Sequence, residues 1–463
     1  MSRKTKTLII ALGVLVLLSV AYYWSIAWNR KKADSASSSY TPSTSLGNLK
    51  SYELVKIEVI NSLALEKNNG TWELVSLEGG IPPKGIELDQ VQIQYLTYSL
   101  ASVWADQVMD ETPSDLSQYG LDKPYYRTLV TDSAGQKAEY ILGDMTPSRT
   151  SYYIMEAGDP KIYSVSSYTA EYLHFTLDSI RQRSLFPPFE SSELIQLRME
   201  SPRFKRIEIS LKPETLKTDF TGLFSTHLIT SPYTHTRGVD SEALDKLLAP
   251  FIDLSIADFV DDSPSSLKPY GLDDPVRIFL RTEEKSLDLL IGNELNGKHY
   301  AKLANAPGVF TLDGMESVVN VKPFTLVNKF ALLVYIDWVD HLSINGGEKN
   351  LSADFRGTGD DALYYLNGRK TETSSFKTFY QAVIGLLVDA EYPGPVRQSE
   401  DSGELTIEYR FNNPPGERAV ITLIPYNRDF YVLKQEGTTE FLISRTQVRR
   451  IYETADAMVY DEN

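Results

Sequence analysis

Apolar and polar residues alternate with a period of two at Val55, Ile57 and Val59, and again at Ile207 and Ile209. That period predicts strands with one buried face. A helical period follows each. Ile93, Leu96, Leu100 and Val103 share one face, as do Leu244, Leu247, Leu248 and Phe251, and then Phe376, Phe379, Tyr380, Val383 and Leu387. Asp89 and Asp240 stand where an N-cap carboxylate accepts from first-turn amides. Further along, Tyr140 to Leu142, Tyr152 to Met155 and Ile162 to Val165 are rich in β-branched and aromatic residues, with Gly143-Asp144 and Gly158-Asp159 as turn signals between them. A short amphipathic helix is predicted from Tyr168 to Phe175. Strands this close together pair mainly antiparallel, which predicts an α+β class: a mainly antiparallel sheet with packed helices.

Internal similarity organises these elements. Tyr119-Gly120-Leu121-Asp122-Lys123-Pro124 matches Tyr270-Gly271-Leu272-Asp273-Asp274-Pro275 at an offset of 151, which also pairs Asp89 with Asp240. The offset then contracts to 147, pairing Tyr153 with Tyr300 and Tyr163-Ser164-Val165 with Phe310-Thr311-Leu312. A shift of 131 pairs Asp258 with Asp389, Tyr300 with Tyr431, and Phe310-Thr311-Leu312 with Phe441-Leu442-Ile443, without the Tyr-Gly-Leu-Asp motif. The reading is three tandem repeats, at residues 49–186, 187–336 and 337–463, the last diverged.

Residues Leu8 to Trp28 break the pattern, being 21 residues without a charge, with Tyr22, Tyr23, Trp24 and Trp28 at the end. As a helix they extend about 30 Å, the thickness of a bilayer core. They predict one transmembrane helix acting as a signal anchor at 8–28, after a basic N-terminus at 1–7 and before a Ser/Thr-rich tether at 29–48. Ser25-Ile26-Ala27 also offers a cleavage site, but the bulky aromatics beside it argue against a signal peptide. Arg3, Lys4 and Lys6 precede the span and Arg30, Lys31 and Lys32 follow it, so charge does not orient it. Long domains translocate regardless of charge, which favours a cytoplasmic N-terminus with the bulk extracytoplasmic.

Charge and composition narrow the function. With those six basic residues set aside, 40 basic residues stand against 62 acidic ones, a net charge of −22. Such a surface repels phosphate backbones, so no nucleic acid is expected as a partner. The absence of cysteine excludes disulfides, thiolate metal sites and a Cys nucleophile.

Chemistry-bearing motifs are sparse. The Tyr-Gly-Leu-Asp-x-Pro element reads as structural, with Gly supplying a turn and Pro rigidifying the strand that follows. Gly292 to Lys298 matches the opening of a phosphate-binding loop, yet His299 replaces the magnesium-binding hydroxyl and the context predicts a hairpin turn. His174, His227, His235, His299 and His341 lack metal or triad spacing, although His227 and His235 could meet across a hairpin. Asp261-Asp262 and Asp360-Asp361 lack a calcium-loop pattern and read as solvated charge. Neither a Gly-x-Ser-x-Gly elbow nor His-Glu-x-x-His occurs. No enzyme activity, cofactor or metal is expected.

Leu116 to Pro124, Ile141-Leu142-Gly143-Asp144, Tyr152-Tyr153, Pro160 to Val165 and Arg181 to Leu185, with a second copy from Leu267 to Leu312, resemble a bacterial repeat family of unknown function. Members of that family are commonly encoded beside gliding-motility-type ABC transporter genes. The resemblance implies a non-catalytic, membrane-anchored extracytoplasmic accessory subunit of an ABC-type export or envelope system, with an ABC transporter permease or associated membrane subunits as partners. It implies no catalytic residues, and the gliding label does not transfer. The alternative is an anchored extracellular protein that binds a lipid, glycan or peptide, and a third reading is an envelope hydrolase using acidic residues.

Overall fold

A computed structural model describes residues 44–202, 204–213, 225–395, 403–412 and 415–461. The chain divides into two compact units, Met1–Gln182 and Arg183–Asn463.

In the first unit, eight antiparallel strands form one sheet in the order Thr71–Leu77, Leu63–Asn68, Leu54–Val59, Tyr126–Asp132, Lys137–Met145, Ser151–Glu156, Ile162–Ser166 and Gln107–Asp110. Its central seam joins Leu54–Val59 to Tyr126–Asp132, strands far apart in the chain. Between them the chain forms helix α1, Gln90–Ala101, started by the Asp89 carboxylate, which accepts from the amides of Val91 and Gln92 at 2.9 and 3.0 Å. Ile93, Leu96 and Leu100 of α1 are buried against Leu54, Ile57, Val130 and Ile154 of the sheet. Each such side chain contributes roughly 1.5–3 kcal/mol. The buried Tyr140 donates its hydroxyl to the Leu100 carbonyl at 2.7 Å, fixing the helix end to the sheet.

The second unit carries two nine-stranded antiparallel sheets. One runs Arg237–Gly238, His227–Ser231, Phe204–Leu211, Gln196–Ser201, Val276–Arg281, Ser286–Leu295, Lys298–Leu303, Val309–Asp313 and Phe259–Asp261. The other runs Arg369–Lys370, Leu363–Leu366, Leu351–Arg356, Val339–Asn345, Leu405–Asn412, Pro415–Pro425, Phe430–Gln435, Thr438–Ser444 and Ala390–Glu391. Helix α2, Ser241–Leu248, is capped by Asp240, and helix α3, Thr373–Ile384, by Glu372. Helix α4, Arg445–Asp456, packs beside α3. One continuous apolar core extends from Phe186 to Met458 through both sheets.

The two sheets join through direct contacts. Ala331 and Val388 donate their amides to the Leu386 and Lys329 carbonyls, each at 2.8 Å. Tyr233 donates to Glu391 Oε1 at 2.8 Å, and its ring lies 5.1 Å from that of the fully buried Phe441. Arg237 donates to Gln435 at 2.9 Å while its guanidinium lies 4.8 Å from the Phe441 ring.

The α+β expectation is corrected. The chain is mostly antiparallel sheet, 43% strand against 21% helix, in four sheets among the described residues. The fourth sheet pairs only Thr44–Leu46 with Val103–Ala105. Hairpins dominate because the segments between the helical patterns each add strands, and several helices last a single turn. Val103, expected on the apolar face of α1, belongs to that small sheet, because the helix stops at Ala101 and Ser102 is extended. Gly143-Asp144 is not a turn; both residues lie inside Lys137–Met145, where the register shifts by a bulge. The transmembrane helix expected at residues 8–28 lies outside the described residues, and no helix among those is long and apolar enough to cross a membrane.

Candidate functional site

Both copies of the Tyr-Gly-Leu-Asp element fold as a one-turn 3₁₀ helix stopped by a left-handed glycine, Gly120 at φ 68° and Gly271 at φ 66°. Leu121 and Leu272 follow and are buried, their amides bonded back to the carbonyls of Leu116 and Leu267. Tyr119 donates its hydroxyl to Asp110 at 2.9 Å and Tyr270 to Asp261 at 2.9 Å. Each carboxylate favours the protonated phenol and raises its pKa. Their rings pack edge-on against Tyr153 at 5.0 Å and Tyr300 at 5.1 Å.

The turns lie flat on the sheet bulges. A Cβ on Gly143 or Gly292 would collide with the carbonyl oxygen of Tyr119 or Tyr270. Pro124 and Pro275 are half-buried just before the seam strands, while Asp122 and Asp273 are exposed. The repeated motif thus fastens a turn to a sheet. Its phenol–carboxylate pairs anchor it.

The other flagged residues disperse. Asn296 and Gly297, both at positive φ, turn the hairpin between Ser286–Leu295 and Lys298–Leu303, as the sequence context predicts for the loop-like stretch. His227 donates from Nε2 to the Leu194 carbonyl at 2.8 Å and accepts at Nδ1 from Thr226 at 3.0 Å, and burial lowers its pKa. His235 turns instead to Glu436 at 3.1 Å, so the two histidines have separate partners. His341 pairs with Asp354 at 2.8 Å, and the His174 ring lies 5.3 Å from that of Tyr126. Asp261 serves Tyr270 and the amide of Ser263; Asp360 and Asp361 lie in a one-turn helix. Among the described residues, one convergence escaped the sequence: Glu294 and His299 face Glu316 from the following helical turn, Glu316–Val319.

Two surface features stand out among the described residues. The outer face of α1 exposes Val91, Tyr95 and Tyr98 at 62%, 60% and 58%. The corresponding face of α2 carries Glu242, Asp245 and Lys246, so the aromatic face is not a requirement of this helix position. Tyr52 lines one cleft with Tyr98, and Tyr168 and Tyr172 pair at 2.7 Å on the neighbouring helix Ser167–Leu173. The second feature is an apolar cavity of about 330 Å³, where residues 333–336 meet Lys377, Tyr380, Gln381 and Ile384 of α3.

Comparison with known proteins gives one family. The model described as Domain of unknown function (DUF4340) matches twice, over residues 72–232 and 228–392. The expectation of three tandem copies is thereby corrected to two, and the matches begin and end inside sheets rather than between them. No curated protein and no solved structure matches the chain.

Proposed function

The chain belongs to the DUF4340 family, matched over more than half its length, and on that premise we propose a non-catalytic accessory protein that works by protein–protein contact in an ABC-type export or envelope system. The outer face of α1 carries this reading. Tyrosine supplies large, rigid contact area at low entropic cost, and contiguous exposed aromatics mark interaction surfaces. Val91, Tyr95 and Tyr98 recur at i, i+4 and i+7, the spacing that lets one helix face enter a partner's groove.

The proposed partners are an ABC transporter permease or its associated membrane subunits, and the proposed place is the cell membrane with the bulk of the chain extracytoplasmic. The charge-free, aromatic-ended segment 8–28 supports that location. Gene neighbourhood bears on the transporter association directly. Crosslinking in intact cells, followed by capture of this chain, recovers permease or ATPase subunits on this reading; their absence from the crosslinked material refutes it. A reporter active only in the cytoplasm, fused after Asn463, stays silent, and activity reverses the orientation.

The cavity beside α3 favours the second reading, an anchored protein that binds a lipid, glycan or peptide. Its volume lies at the small end for ligand sites, and its walls are apolar. Native mass spectrometry of the purified chain separates the two readings: a small molecule that leaves when Ile384 is replaced by Trp supports ligand capture.

A further inference from the structure

Glu294 and His299 are direct neighbours across the hairpin turned by Asn296-Gly297, and His299 also lies opposite Leu312 on the next strand. The chain leaves that strand at Asp313 and starts the turn Glu316–Val319, seated by the buried Met315 and Val318, which puts Glu316 beside His299. One ligand atom from each of the three side chains lies within 4.8 Å of the others.

The details go beyond a chance acidic cluster. His299 is 5% exposed, yet it makes no hydrogen bond: Nδ1 is buried without a partner, and Nε2 faces Glu316 Oε2 at 3.8 Å. The imidazole is thus held by packing alone, and Nε2, the nitrogen that faces Glu316, is left free to take a ligand. Each carboxylate is held by one oxygen from its own neighbourhood. Glu294 Oε1 accepts from the amide of Gly297 at 3.2 Å, and Glu316 Oε1 accepts from Asn320 at 2.5 Å. Such outer contacts orient metal-binding carboxylates and leave the second oxygen for the ion. Lys298, the nearest cation in sequence, is turned to Asp258 at 2.7 Å and does not neutralise the pair.

We infer that Glu294, His299 and Glu316 bind a divalent transition-metal ion, zinc being the reference case. One imidazole nitrogen with two carboxylate oxygens suits zinc, manganese or iron(II) rather than calcium or magnesium, which take oxygen ligands. Bond lengths near 2.1 Å put ligand atoms about 3.4 Å apart, a closure that rotation of the two exposed glutamates supplies. Three protein ligands leave the remaining positions to water. The ion ties the hairpin to the turn after Val309–Asp313, a staple independent of the proposed partner contacts.

The test uses the full chain, purified without a histidine tag, stripped with chelator and titrated with zinc alone by calorimetry in excess calcium. Saturable one-to-one binding is expected, with cobalt(II) giving visible absorption bands from nitrogen–oxygen coordination. Glu294→Gln and Glu316→Gln keep side-chain volume on exposed positions, and each is expected to weaken zinc binding at least about tenfold. At one fixed zinc concentration the melting temperature of the original chain should rise more than that of Glu316→Gln. Absence of one-to-one binding, or zinc affinity unchanged in both variants, overturns the site.

Discussion

Gly143 and Gly292 set how closely a turn can approach a sheet, because each lies under a tyrosine carbonyl that a methyl group would strike. Gly143→Ala and Gly292→Ala are each expected to lower stability by about 1–3 kcal/mol, the range for overpacked sites, while Gly403→Ala, which meets open space, changes little. Urea unfolding midpoints read the difference. Two titrating residues act on stability through pH. Burial holds His227 below the ordinary histidine pKa, so as pH falls below about 6.5 the unfolded chain takes a proton that the folded chain refuses. Its contribution is therefore full above that pH and is lost as pH falls toward the folded value; His227→Gln should flatten the midpoint between pH 7.5 and 5. Lys329, whose ammonium lies 3.4 Å from the Phe324 ring centroid, is lowered by burial to about 8. Between pH 8 and about 10.4 the unfolded chain holds the proton that the folded chain has released, so stability rises with pH through that window. Lys329→Met is expected to stabilise the chain at pH 7, with the gain narrowing toward pH 10.

At the scale of elements, α1 is apolar on two sides with different duties. Leu96→Ala empties the core and should cost about 2–5 kcal/mol, whereas Tyr95→Ser with Tyr98→Ser should move stability by under about 1 kcal/mol while abolishing crosslinking to the proposed partner. Thermal melts paired with crosslink yield separate the two effects. The helices were legible because a period of 3.6 and an N-cap carboxylate are local signals, as at Asp89 and Asp240. The β-dominated class was not, since two-residue strands such as Arg369–Lys370 have no period and exist only through their neighbours. Gly143-Asp144 misleads for a related reason: a bulge and a turn use the same residues, and only the opposing strand distinguishes them. The repeated tyrosine motif reads as structural from its glycine and proline, which are local turn signals, but its phenol acceptors, Asp110 and Asp261, have no local signal. Likewise Glu316 lies beyond the span over which ligand spacing is read from His299, because the strand Val309–Asp313 intervenes.

Over the whole chain, the second unit shares one core between two sheets, so its halves are not separable pieces. Ending the chain at residue 336 would expose Ala331 and Leu332 and remove the Tyr380 hydroxyl bonded to the Val334 carbonyl at 3.0 Å. Such a truncation is expected to aggregate or to lose cooperative unfolding, whereas residues 183–463 together melt in one transition by calorimetry. The seams have another bearing. Leu54–Val59 waits for Tyr126–Asp132, Gln196–Ser201 for Val276–Arg281, and Val339–Asn345 for Leu405–Asn412. Each large sheet therefore closes through its middle only after a long stretch of later sequence has been made. During synthesis the first hairpins carry an unpaired inner edge for several seconds at ordinary elongation rates of about 5–20 residues per second. Long-range closure of this kind folds slowly and leaves sticky edges open, so the nascent chain is a natural client for holding chaperones until each middle strand arrives.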